Sequence, residues 1–262
     1  MPRVLPIALI VGLMAGLLVG GFHVLFTAPV MARAIDLEEE RAAAEAAARG
    51  EVLEDEEPLV PLWLQERAGL PLGNGAIGLV LGLVFAGGFA LVRRIAPNWH
   101  PLAIALIVGA VGFWALSLFP FIKYPLNPPG VGEPASLTFR QGFQTLFILL
   151  SAAGAVGALY GVKLINRSTS VVAQQARGYA LLALAYAAFA LIIAFAVPGN
   201  PDPTPVPIDL LALFRTLTMI GQFLLRLLLA LGVGLTIMWH QRSARPAGSS
   251  EARNVTPRAS AH

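Results

Sequence analysis

The chain has 262 residues, 56% of them hydrophobic and 13% charged, with no cysteine and a formal net charge of +3. A soluble domain carries about 25% charged residues, so a soluble protein is excluded, and the missing cysteines exclude disulfides, thiolate metal sites and cysteine nucleophiles. The eighteen Lys and Arg are scattered over short segments between apolar runs and form no single basic face, which argues against nucleic acid as a partner.

A helix needs about 20 mostly apolar residues to cross a hydrocarbon core roughly 30 Å thick. Six stretches meet or approach that length, near residues 4–27, 74–92, 101–119, 139–165, 178–197 and 210–239. The predicted fold is all-α: a polytopic integral membrane bundle of about six transmembrane helices over residues 1–240. The polar segment 241–262, rich in Ser, Arg and Ala, is expected to be a disordered cytoplasmic tail.

The first stretch has Arg3 before it and Ala32-Arg33-Ala34 after it, which imitate a signal peptide and its cleavage site. Its apolar run of 23 residues, Val4 to Phe26, is interrupted only by His23. That exceeds the roughly 7 to 15 residues of a secretory signal, so it is read as a retained span. Gly12, Gly16 and Gly20 line one face of it, as Gly78 and Gly82 do in the second span and Gly157 and Gly161 in the fourth. Between helices in lipid, such small residues let backbones approach.

The segment 34–67 after the first span holds eleven of the fifteen carboxylates, and its Ala, Glu and Arg content predicts a helix over about 34–50. With both termini cytoplasmic, ten basic residues face inward and five outward, among them Lys123, as the positive-inside tendency prefers. Fourteen of the fifteen carboxylates then lie outside, where they form either a solvated face or an anionic surface that gathers cations.

The second half contains an internal likeness. Pro125-Leu126-Asn127-Pro128 precedes a span that begins Phe139-Arg140, and Pro198-Gly199-Asn200-Pro201 precedes one that begins Phe214-Arg215. Gly157 and Gly232 each fall seventeen positions after those arginines. Both loops lie on one side of the membrane, so the repeat is a parallel helix hairpin.

Polar side chains within spans are costly and usually face protein or water. Arg215, Gln222 and Arg226 lie within about 20° of one direction on the sixth span, and Arg140, Gln144 and Ser151 within about 40° on the fourth. Each of the two helices thus presents an Arg-then-Gln stripe, expected to face the other or a central cavity. Arg140 and Arg215 lie near the outer boundary, within reach of Glu133, Asp202 or Asp209. Arg226 lies about 16 Å deeper than Arg215 and is the strongest single pointer to a buried network. The lone His23 is more readily a packing residue than a metal ligand, and becomes a ligand only if other donors converge on it.

Gly73-Asn74-Gly75-Ala76-Ile77-Gly78 fits the dinucleotide pattern G-x-G-x-x-G, but it opens a span, follows no strand and lacks the acidic residue about twenty positions on. No zinc-protease, Walker or hydrolase motif occurs, which argues against an enzyme or an ATP-driven motor.

The run Phe119-Pro-Phe-Ile-Lys123-Tyr124-Pro125-Leu126-Asn127-Pro128-Pro129-Gly130-Val131-Gly132, set between two spans, resembles the cobalt transporter subunit family CbtA. The Gly-rich first span, Pro29 with its acidic segment, and the closing span with Arg215 and Gln222 agree more loosely. The resemblance implies a bacterial inner-membrane protein tied to cobalamin biosynthesis. It also implies a small single-span partner, CbtB, with a histidine-rich end. Family members are commonly read with five spans, one fewer than here.

With no cysteine and His23 alone deep in a span, no tight cobalt site is expected in this chain. Cobalt is expected as the transported ion, with no tightly bound cofactor. Asn127, Asn200 and Asp202 would relay it through oxygen, while Lys123, Arg140, Gln144, Arg215, Gln222 and Arg226 line the path. Two other functions compete: a non-transporting scaffold for a metal-binding partner, and a transporter of an anionic solute, which the arginines suit better.

Overall fold

In the computed structural model, residues 4–50, 64–128, 134–200 and 206–243 are described. Among them there is no strand, and six helices are long and apolar enough to cross a membrane: α1 (Val4–Arg49), α2 (Arg67–Ile95), α3 (Pro101–Lys123), α4 (Leu137–Ser168), α5 (Val172–Ala196) and α6 (Ile208–Ser243). The count of six follows the six apolar runs.

The first span, expected near 4–27, and the acidic helix, expected over about 34–50, are joined through Pro29 into one continuous helix. The chain passes the proline by widening the turn before it into a π-turn, His23–Thr27. Proline lacks an N–H, and its ring crowds the carbonyl four residues back; here that carbonyl belongs to Leu25, inside the widened turn. Gln65–Gly69 stands in the same relation to Pro71, and Trp114–Leu118 to Pro120. α1 stops at Gly50, whose φ of 69° is open to glycine without a Cβ clash; its N–H bonds back to Ala47 O at 3.1 Å.

α1 and α2 meet through the glycines singled out in the sequence. A Cβ on Gly12 would stand 2.2 Å from Gly78 O, one on Gly16 2.2 Å from Asn74 O, and one on Gly82 2.3 Å from Ala8 O. Only hydrogen fits at these points, so backbone lies on backbone. A second seam joins α3 to α6, where a Cβ on Gly109 would be 2.8 Å from the Ala230 Cβ. Phe85, Phe89, Ile104, Leu229 and Val233 fill the space among α1, α2, α3 and α6, and these four helices form the bundle's centre.

The glycine pair of the fourth span divides. Gly161 meets Leu182 of α5, whereas Gly157 faces open space, so its expected packing role is corrected. Gly154 packs on Phe189 instead. α5 rests chiefly on α4, and only 6% of its most apolar window is buried. The two units of the proposed repeat are therefore packed differently: α6 is central and α4 lateral. Phe119, Tyr124, Phe147, Ile193 and Val197 tie this lateral pair to the end of α3.

α6 continues through Ser243, into the stretch expected to be tail. The rest of that tail, Glu133, Asp202 and most of the acidic stretch after Gly50 lie outside the described residues.

Candidate functional site

Arg226 is set into α6 facing the π-turn of α3 and is 7% exposed. Its Nη1 donates to Gln222 Oε1 at 2.9 Å, one turn back on the same helix. Its Nη2 donates to Ser117 Oγ at 3.0 Å, and the Ser117 hydroxyl donates in turn to Gln222 Oε1 at 3.2 Å. The charge is thus held by two neutral side chains in a closed triangle, and its Nε is buried without a hydrogen-bond partner. A buried polar atom left unpaired costs about 1–3 kcal/mol, so Arg226 is held at a standing expense in stability.

Above this triangle is a cleft of about 150 Å³ between α3, α4 and α6, lined by Ser117, Tyr124, Gln144, Met219 and Gln222. On its other side Arg226 borders an apolar crevice of about 120 Å³ lined by Leu81, Phe85, Val108, Ala155 and Leu229. The guanidinium therefore lines the apolar crevice, while its two partners, Ser117 and Gln222, line the cleft above it.

Arg215 lies three turns above Arg226 and reaches the loop after α3. Its Nε donates to Leu126 O at 3.2 Å and its Nη2 to Asn127 Oδ1 at 2.8 Å. Those contacts, not a carboxylate, occupy its described hydrogen bonds. The Tyr124 hydroxyl donates to Pro198 O, which joins the loop after α3 to the loop after α5. Lys123 lies beside Gly199 in that second loop, since a Cβ on Gly199 would be 4.0 Å from Nζ. These two loops mark one end of the bundle, called here the loop end.

The α6 stripe thus faces α3 and the loop beyond it. Of the α4 stripe, Gln144 reaches the cleft with Gln222, so the two stripes meet at a cavity through their glutamines. Arg140 Nε donates to Ser136 Oγ, in the turn before α4, at 2.9 Å, and Ser151 Oγ is buried without a partner. Asp202 is outside the described residues, and Asn200 is exposed in the second loop.

His23 is 7% exposed. Its Nδ1 pairs with Thr27 Oγ1 at 2.8 Å across the π-turn, and a Cβ on Gly221 would lie 2.4 Å from its Nε2. It fills the gap that Gly221 leaves in α6. Among the described residues no three His, Cys, Asp or Glu side chains converge as a metal site. The sequence reading missed Ser117, Tyr124 and Thr27; the hydroxyl of Ser117 inside an otherwise apolar run was the available signal.

A family described as "Probable cobalt transporter subunit (CbtA)" matches residues 1–238. No curated protein and no solved structure matches the chain.

Proposed function

The chain belongs to the CbtA family, and from that premise we propose that it is the membrane-embedded subunit of a system importing cobalt for cobalamin biosynthesis. The observation that carries this reading is the cleft of about 150 Å³ at the loop end, in which Ser117, Tyr124, Gln144 and Gln222 place polar groups among apolar walls, with the Arg226–Ser117–Gln222 triangle below it. It is a path begun from one face of a bundle and stopped within it, as a subunit that passes an ion through an occluded state requires.

The loop end faces outward and both ends of the 1–240 membrane domain face the cytoplasm of a bacterial inner membrane, an orientation supported by the inward excess of Lys and Arg. The external carboxylates of segment 34–67 collect the cation. A small single-span subunit of CbtB type, histidine-rich, supplies the nitrogen ligands that a chain without cysteine does not concentrate in its spans. The residues we assign to the path are Lys123, Asn127, Gln144, Asn200, Arg215, Gln222 and Arg226, with Arg140 at its outer margin; Asp202, assigned to the path from the sequence, lies outside the described residues. His23 has a packing role.

Uptake in a cobalt-limited host, with and without this chain and the small subunit, tests the proposal. Import should require both, and unchanged import without this chain would refute it. A second reading, transport of an anionic solute, is favoured by one observation: both hydrogen-bond partners of Arg226 are neutral. Parallel metal and anion flux in liposomes holding both subunits separates the two, and absence of either flux leaves the scaffold reading.

A further inference from the structure

A cavity of about 670 Å³, against about 150 Å³ for the cleft, lies at the end of the bundle opposite the loop end. It begins where the glycine seam stops. The glycine contacts between α1 and α2 run as far as Ala8 and Gly82. Past that point, toward Val4, a groove opens between Leu5 of α1 and Ala86, Gly87 and Ala90 of α2, with Ile237 of α6 on its wall. It is separate from the proposed path, because α2 gives Ala86, Gly87 and Ala90 to this groove and Leu81, Phe85 and Gly88, on its other face, to the apolar crevice beside Arg226.

The polar side chains of the cavity come from the last turns of two helices: Arg93 of α2, and His240 and Gln241 of α6. Arg93 Nη1 donates to Trp99 O at 3.1 Å, which leaves the other guanidinium N–H groups for a ligand. His240 Nδ1 donates to Thr236 O at 2.9 Å, and its second ring nitrogen makes no hydrogen bond within the protein. Trp99 and Trp239 stand exposed beside these groups, as aromatic residues do at the boundary between hydrocarbon and headgroups. Arg94 and Arg242 add positive charge, and among the described residues this end holds no Asp or Glu.

The groove is thus apolar along its length and cationic at its end. A free anion would leave the apolar walls bare, and a neutral apolar ligand would leave Arg93 without a counter-charge. A zwitterionic headgroup brings a cation to an end with no described carboxylate to receive it. An anionic phospholipid meets all of these conditions: its acyl chain buries apolar surface, and its phosphate takes charge-assisted hydrogen bonds from the guanidinium. Basic pockets between transmembrane helices hold headgroups of this kind.

We propose that this cavity binds an anionic glycerophospholipid, with an acyl chain in the groove of α1 and α2 and the phosphate on Arg93 and His240. The site does not depend on what the chain transports.

The test reconstitutes the full chain in vesicles of equal parts phosphatidylglycerol and phosphatidylcholine, re-extracts it in mild detergent and counts retained lipid by mass spectrometry. Retained phosphatidylglycerol should exceed phosphatidylcholine about tenfold or more, and Arg93→Gln should remove that preference. Gly87→Phe should cut retention of both lipids several-fold, since a Cβ there meets nothing within 4 Å and the ring enters the groove without disturbing the helices. Arg167→Gln, which removes an exposed charge at the same end, should change nothing. Equal retention of the two lipids by the wild type would overturn the proposal. So would a preference that survives Arg93→Gln or is lost equally with Arg167→Gln, or a Gly87→Phe variant that retains lipid like the wild type. Displacement of the retained lipid by millimolar glycerol phosphate would reduce the cavity to a site for a free anion and overturn it as well.

Discussion

Arg226 separates structural from functional roles because the two make opposite predictions. Replacing a buried ion by an apolar residue of similar length is often neutral or stabilising, since the desolvation cost disappears. Arg226→Met leaves Ser117 and Gln222 bonded to each other and removes the unpartnered Nε. It should keep or raise the thermal unfolding midpoint in detergent while abolishing cobalt uptake; uptake at the wild-type rate would reduce Arg226 to a packing residue. Ser117→Ala does the reverse, stranding Nη2 in a buried site at about 1–3 kcal/mol, visible as a lowered midpoint. The burial of Arg226 was legible from helical periodicity. Its partner was not, because Ser117 is 109 positions away in sequence and periodicity orders the faces of one helix without saying which neighbour each face meets. Arg215 shows the same limit: the expected partners were carboxylates, and the described ones are a backbone carbonyl and an amide oxygen.

At the scale of elements, small-residue spacing was a good guide where two stripes face each other and a poor one where a stripe faces lipid. Gly12, Gly16 and Gly82 each leave room for a carbonyl of the partner helix, while Gly157 has nothing within 4 Å. Gly78→Leu should therefore separate α1 from α2 and cost at least about 1–3 kcal/mol, whereas Gly157→Leu should leave the unfolding midpoint unchanged; thermal unfolding of the pair in the same detergent checks both. Proline was the other signal, and its meaning depended on context. Pro29 reads as the end of a helix when taken alone. Together with Pro71 and Pro120 it belongs to a rule of this chain, that a π-turn ends two residues before each of these prolines. The widened turn keeps the helix continuous and also aims side chains inward: His23 and Thr27 lie in one such turn and Ser117 in another.

Across the whole molecule, four helices carry the centre and two lie beside it. α5 is nearly all exposed, which composition could not reveal, because an apolar helix among helices and an apolar helix among lipids have the same residues. The number of spans was legible for the same reason, since length and apolarity decide it. Orientation is open to direct measurement in a chain free of cysteine. A single cysteine at Gly199, in the loop after α5, should react with a membrane-impermeant thiol reagent in intact cells. One at Ser170, between α4 and α5, should react only after permeabilisation. The opposite labelling pattern would invert the proposed topology and place the cleft on the cytoplasmic face.

Continuity through Pro29 gives α1 a mechanical property. Its 46 residues make a rod about 69 Å long, of which the 22 from Ala28 to Arg49 extend about 33 Å beyond the π-turn. The lower half is clamped to α2 at glycine contacts that leave no slack, and His23, at the top of that half, touches α6 within one residue of Gln222. The rod is a lever with its fulcrum beside the cleft. A tilt of about 5° at the fulcrum would carry Arg49 sideways by about 3 Å, so a rearrangement around Gln222 too small to resolve at the site itself becomes measurable at the tip, where a spin label would report it.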